Sequence, residues 1–168
     1  SVGELEQIVP LIKATKHTTQ WVVTGFSSSL EGWWQKYDGL FLFFWLPVDT
    51  RTNANSMLRF WSPKMLILVK SDFWYHMMSA TIDQDIPIYV VNASFRPDQF
   101  YFRLGESLFL PLFRQVSHFF TIDHSSSDLL EEKGITRYSK VGDTRVDRDS
   151  TQLGSQVALI REFKGAEG

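Results

Sequence analysis

Gly39-Leu40-Phe41-Leu42-Phe43-Phe44-Trp45-Leu46-Pro47-Val48 is the most apolar stretch of the chain, and its reading governs the rest. The unbroken part, Leu40 to Val48, is nine residues, well short of the ~20 that a membrane-spanning helix needs. It follows the turn signal Tyr37-Asp38-Gly39 and is dominated by aromatic and large aliphatic residues, so it reads as a strand buried on both faces, between two sheets or beneath a partner chain. Outward from it, β-branched and aromatic runs bounded by turn residues predict further strands. They are Gln20 to Phe26, Ser56 to Trp61, Met65 to Lys70, Phe73 to Ile82, Ile86 to Asn92, Phe100 to Leu104, Leu108 to Phe113 and Phe119 to Ile122. Ser62-Pro63 breaks the ladder between the second and third of these, and Pro87 suits an edge or opening strand. Leu108 to Phe120 reads equally as a helix interrupted by Pro111. The sum is an all-β expectation: an eight-stranded antiparallel β-sandwich of jelly-roll type, occupying residues 1–168 as one domain with terminal arms.

Two helical pieces accompany the strands. One runs from Glu4 to Thr15, divided by Pro10, which has no amide donor. The other is Ser127 to Gly134, where Ser or Asp caps, acids fill the first turn, and Lys133 and Gly134 close the end. Twenty-three of the 25 aromatic residues precede Ile122, while 16 of the 36 charged residues follow it. That shift predicts a packed body followed by a polar excursion, Asp123 to Ser155, and a returning strand, Gln156 to Phe163, between Gly154 and Gly165.

Composition excludes several classes. With no cysteine there is no disulfide framework, thiolate metal site or cysteine nucleophile. Net charge is −2, which argues against neutralising a long phosphate backbone. No secretory-signal pattern opens the chain.

Candidate chemistry is sparse. Asp123-His124-Ser125 holds the three residue types of a catalytic triad, but neighbours in an extended chain point in opposing directions, so the string reads as a turn into the second helix. His17, His76, His118 and His124 have no i, i+4 spacing and no cysteine to complete a zinc site. Asp143, Asp147 and Asp149, with Arg145 and Arg148, lack the glycine and closing glutamate of a calcium loop and read as a solvated segment. Gly142 opens no phosphate loop. Gly32-Trp33-Trp34-Gln35-Lys36-Tyr37 reads as a buried plug in preference to a recognition patch. No catalytic, cofactor-binding or metal-ligating residue is assigned, and no cofactor is expected.

Gly3-Glu4 followed by Pro10-Leu11-Ile12-Lys13 resembles a "Gly-Glu, spacer, Leu-Arg-x-Leu-Leu-Lys/Arg" segment of picorna-like virus capsid proteins, with a second echo at Gly105-Glu106 and Pro111-Leu112-Phe113-Arg114. Leu40 to Lys70 is similar to the middle of such proteins, with Phe60-Trp61-Ser62-Pro63 where they carry Phe-Trp-Arg-Gly. The size is similar to the small coat proteins of plant viruses with three coat proteins, such as cheraviruses. The resemblance implies a non-enzymatic structural subunit of an icosahedral RNA-virus capsid, released from a polyprotein. Its partners would be sibling capsid proteins in a hetero-oligomeric shell, with at most weak contact to genomic RNA and none to membrane. Its place would be the virion, and the host cytoplasm during assembly. Two rivals stand beside it: a carbohydrate- or peptide-binding β-sandwich with Trp33 and Trp34 along a groove, and a hydrolase using His124 or His118 as base.

Overall fold

Helices alternate with strands along the chain, and every strand pairing among the described residues is parallel. The computed structural model describes residues 2–141. They fall into two compact units divided after Pro47.

In the first unit the helical segment expected at Glu4 to Thr15 is divided between α1 (Val2–Leu5) and α2 (Val9–Thr15), ahead of Pro10 and not at it. Pro10 lies in the first turn of α2, where its missing amide donor costs no intrahelical bond. Val9, Leu11, Ile12 and Thr15 are the buried side of α2. The Thr15 hydroxyl donates to the Leu11 carbonyl at 2.8 Å and accepts from Trp21 Nε1 at 2.9 Å, which ties the helix to the entry of the first strand. β1 (Val22–Gly25) pairs in parallel with β2 (Leu42–Trp45), from Val22 opposite Leu42 to Gly25 opposite Trp45. A parallel pair needs a crossover, and the intervening chain supplies it through two 3₁₀ turns, Ser28–Leu30 and Trp34–Tyr37. A Cβ at Gly25 would run into Leu30 Cδ1, so any larger residue there needs the buried Leu30 side chain to turn away.

The second unit begins with α3 (Arg51–Trp61) and carries a sheet in the order β3-β4-β5-β6. The strands are β3 (Leu66–Val69), β4 (Ile88–Ala93), β5 (His118–Thr121) and β6 (Tyr138–Lys140). Between them lie α4 (Tyr75–Ile82), α5 (Glu106–Phe113) and α6 (His124–Glu132). β3, β4 and β5 are therefore each followed by a helix and then by a parallel neighbour, the βαβ pattern of α/β proteins. β4 is central, and all six of its residues are buried.

The antiparallel all-β jelly roll is thus wrong, and particular segments show why. Ser56 to Trp61 is the second half of α3: the Thr50 hydroxyl accepts from the Asn53 amide at 3.2 Å, Ala54 and Leu58 form an i, i+4 buried stripe, and Ser62 closes the helix at φ 43°. Pro63, read as a ladder break, is the proline that follows a helix end. Phe73 to Ile82 is largely α4, started by a residue far away in sequence. The Asp49 carboxylate accepts from the amides of His76 at 2.9 Å and Met77 at 3.0 Å. Phe100–Phe102 is a 3₁₀ turn, and the segment around Pro111 takes the helical alternative as α5. The aromatic excess fills the interior of the second unit, where Phe113 meets Phe73, Phe95, Tyr101, Phe102, Phe109 and Phe119 at centroid distances of 4.7–6.2 Å.

The expectation for β2 also needs correction. Leu42, Phe44 and Trp45 are 45%, 40% and 50% exposed. Among the described residues β2 pairs with β1 alone, so it lies at the edge of a two-stranded sheet. The Asp143 to Asp149 acids, Gly142, the part of the polar excursion after Val141 and the strand expected at Gln156 to Phe163 lie outside the described residues.

Candidate functional site

Four parallel strands place all their carboxyl ends on one edge, and in open α/β sheets ligands bind along that edge. Polar residues close the strands there. After β3 comes Lys70-Ser71-Asp72, with Lys70 at φ 58° and its amide donating to the Val91 carbonyl at 2.8 Å. Near the end of β4, Asn92 takes φ 53° while only 2% exposed, and the pairing with β5 shifts register between Val90 and Ala93. This local distortion ends the strand at Ser94-Phe95-Arg96. After β5 comes Ile122-Asp123-His124-Ser125, and β6 ends on Lys140. Hydroxyls brace these turns. Ser126 Oγ accepts from the Phe95 amide at 2.8 Å, and the Thr121 and Ser127 hydroxyls share a buried 2.7 Å hydrogen bond.

Two polar clusters result. Over β3 and β4, Tyr101 feels Ser71 and the charges of Arg96 and Asp72. Burial raises the Tyr101 hydroxyl above its ordinary value, Asp72 adds to the rise, and Ser71 and Arg96 oppose it. Arg96 Nε lies 3.3 Å from Asp98 Oδ1. Over β5 and β6, Asp123 caps α6. Its Oδ1 accepts from the Ser126 amide at 2.7 Å and from the Ser125 hydroxyl at 2.8 Å. Burial alone would raise the Asp123 carboxyl, but those hydrogen bonds and the charge of His124 outweigh it, and the net shift is downward. Lys140 Nζ stands 2.6 Å from His124 Nε2. The edge as a whole offers Lys70, Arg96 and Lys140 to an anion, and Asp72 and His124 as groups able to accept a proton. Among the described residues no group of three or more His, Asp or Glu side chains is arranged to hold a metal ion.

The residues singled out from sequence are only partly brought together. Asp123, His124 and Ser125 are neighbours, but the Ser125 hydroxyl donates to Asp123 and His124 faces Lys140, so no base is aimed at a nucleophile. His118 bonds the Ser139 hydroxyl at 2.9 Å, and burial together with the Arg137 charge lowers its pKa. Of the two bases of the hydrolase rival only His118 thus stands beside a hydroxyl, and among the described residues no carboxylate orients its ring, so no triad is assembled. Trp33 is the expected plug: it is buried, donates from Nε1 to Glu6 Oε1 at 2.8 Å, and packs on Tyr37 and Phe41. Trp34 stacks on Phe43, so the two indoles do not line a binding groove. Sequence reasoning missed Lys70, Ser71, Asp72, Arg96, Tyr101 and Lys140. The signal was present, since an apolar run closed abruptly by charged or hydroxyl residues is how a parallel strand meets its ligand-facing loop.

A family model described as 3-deoxy-D-manno-octulosonic-acid transferase (kdotransferase) matches residues 1–148. No curated protein matches the chain. The family match overturns the picorna-like capsid assignment, whose motifs Gly3-Glu4 and Gly105-Glu106 are too short to be specific. With it go the structural-subunit function, the non-enzymatic expectation, the sibling coat-protein partners and the virion location. The carbohydrate- or peptide-binding β-sandwich falls with the sandwich itself.

Proposed function

The chain belongs to the 3-deoxy-D-manno-octulosonic-acid transferase family, as its N-terminal glycosyltransferase domain, and from that premise we propose that it serves the transfer of this acidic sugar from an activated donor to an acceptor hydroxyl. The observation that carries the reading is the match across residues 1–148, which takes in both units. The family is one of bacterial membrane-associated enzymes.

The chemistry asks for three things. The bond from the anomeric carbon to the leaving group breaks, the acceptor oxygen bonds to that carbon, and the acceptor proton passes to a base. The sugar's carboxylate keeps its charge throughout and needs a cationic partner for orientation. On the carboxyl edge Arg96 presents a guanidinium whose planar fork suits a carboxylate, with Lys70 and Lys140 on either side in strand order. Asp72 and His124 are the proton acceptors of that edge. Tyr101, half-buried between Ser71 and Arg96, would fix the position of both.

The test is transfer of labelled 3-deoxy-D-manno-octulosonic acid from its activated donor to acceptors in a bacterial membrane extract, using the full protein that carries this chain. Transfer is expected, with kcat/KM reduced at least tenfold by Arg96→Ala and by Asp72→Asn. Absence of transfer by the folded wild type would refute the reading.

A further inference from the structure

We propose that Ser126 is a positioning residue, whose hydroxyl reaches from α6 to the chain beyond β4 and holds Arg96 where it meets the sugar's carboxylate. The proposal rests on the transferase reading and names what fixes the cationic partner that this reading requires.

Arg96 lies where the sheet no longer directs the chain. The ladder between β4 and β5 closes with the Ile122 amide donating to the Ala93 carbonyl at 3.0 Å, and Asn92 has already left strand geometry at φ 53°. An exposed guanidinium on a loose turn would sample many positions, and a ligand would have to order it at an entropic cost. This turn is tied on both sides of Arg96. Phe95 is 3% exposed, with its ring against Phe73, Phe102 and Phe119 at centroid distances of 5.9, 5.3 and 5.8 Å. Its amide lies beyond the ladder and still needs an acceptor, which is Ser126 Oγ at 2.8 Å, 31 residues away in sequence. The Arg96 amide donates to Gln99 Oε1 at 2.8 Å, and its Nε to Asp98 Oδ1 at 3.3 Å. Those two bonds are exposed and local. The Ser126 bond is buried and joins the turn to another element.

Ser126 is itself fixed. It is fully buried in the first turn of α6, and its amide donates to Asp123 Oδ1 at 2.7 Å. The neighbouring serines are engaged elsewhere: the Ser125 hydroxyl donates to Asp123 Oδ1 at 2.8 Å, and the Ser127 hydroxyl shares its 2.7 Å bond with Thr121. Of the three, Ser126 is the one bonded to the Arg96 turn. The cap that follows β5 therefore sets where the cation that follows β4 stands. Ser127, also buried and hydrogen-bonded but to β5, is the matched control.

The experiment is isothermal titration of the full protein with 3-deoxy-D-manno-octulosonic acid and with its uncharged C1 amide, the readout being the preference for the acid. The wild type is expected to prefer the acid at least about tenfold, because hydrogen bonds between ionised partners are the stronger ones. Ser126→Ala is expected to lose most of that preference, and Ser127→Ala to retain it. On the Arg96→Ala background Ser126→Ala is expected to change the preference no further, since it acts through that residue. Circular dichroism confirms that each variant is folded. If Ser126→Ala is not, Ser126→Cys, whose sulfur is only a weak acceptor, takes its place. A Ser126 variant that keeps the full preference, or that lowers it further on the Arg96→Ala background, overturns the proposal. So does an equal loss in Ser127→Ala, which would make the effect a general loosening of α6. A wild type with no preference for the acid overturns the proposal together with the carboxylate partner assigned to Arg96. Transfer from the activated donor, measured on the same proteins, reports separately on the transferase reading.

Discussion

β2 and β4 are both apolar runs in parallel sheets, and they end in opposite situations. Leu42–Trp45 has one hydrogen-bonded neighbour among the described residues and leaves Leu42, Phe44 and Trp45 substantially exposed. Ile88–Ala93 lies between β3 and β5, and every residue is buried, down to Asn92 at 2%. Burial of a strand is thus set by what pairs and packs against it, whereas hydrophobicity sets only what the strand tolerates. The doubly flanked β4 also carries the backbone distortion at Asn92, and the chain after it brings Arg96 to the carboxyl edge of the sheet.

The largest expected effect that could break this comparison is thermodynamic. Phe113→Ala, in a side chain fully buried among six aromatic neighbours, is expected to cost about 3–5 kcal/mol. Phe44→Ala, on the exposed strand, is expected to cost under about 1 kcal/mol. Urea unfolding midpoints of the two variants measure the difference, and equal costs would mean that β2 is covered as completely as the aromatic interior packed around Phe113.

A smaller effect sharpens the picture of the ligand edge. Asp123→Ala removes the cap of α6 and is expected to cost about 0.5–2 kcal/mol, while Asp123→Asn keeps a capping oxygen and costs less. Since the folded carboxyl titrates below the ordinary aspartate value, its contribution is full above that value and disappears as pH falls through the folded one. Stability curves of the wild type and Asp123→Asn should converge on acidification. Parallel curves would show that the carboxylate charge contributes nothing.

The smallest effect belongs to His118. Its folded pKa is held down by burial and by Arg137, so the unfolded chain takes up the proton first. Stability is full above the ordinary histidine value, declines as pH falls below it, and levels off beneath the folded value. His118→Asn is expected to flatten that decline in thermal melts across mildly acidic pH. An unchanged slope would place the acid sensitivity elsewhere.

Much of the secondary structure was legible, but its type was misjudged wherever the deciding contact is distant. The helix start marked by Pro10, the strands at Val22, Leu66 and His118, and the second helix all carry their signals locally. α4 does not: its sequence, Tyr75-His76-Met77-Met78-Ser79-Ala80-Thr81-Ile82, is as suited to a strand, and its start is set by Asp49, 27 residues before His76. α3 was legible, because Thr50 with Asn53 and Ser62 with Pro63 are its start and stop signals, yet the aromatic pair Phe60-Trp61 invited a strand. Once helices are read as strands, the alternation that distinguishes α/β from all-β disappears. The edge residues were lost with it, since Lys70, Asp72, Arg96 and Lys140 have no motif of their own. They converge only because parallel strands bring their carboxyl ends together. Trp33 was read correctly as a plug because its neighbours, Tyr37 and Phe41, lie close in sequence.

The central claim is that the carboxyl edge of the four-stranded sheet faces the acidic sugar. Hydrogen exchange of the full protein with and without saturating 3-deoxy-D-manno-octulosonic acid tests it directly. Slowed exchange is predicted at residues 70–73, 94–97 and 123–126, just past the carboxyl ends of β3, β4 and β5, with residues 86–88 and 115–118 at the opposite edge unchanged. Protection confined to the opposite edge, or no protection in the second unit at all, would contradict the claim.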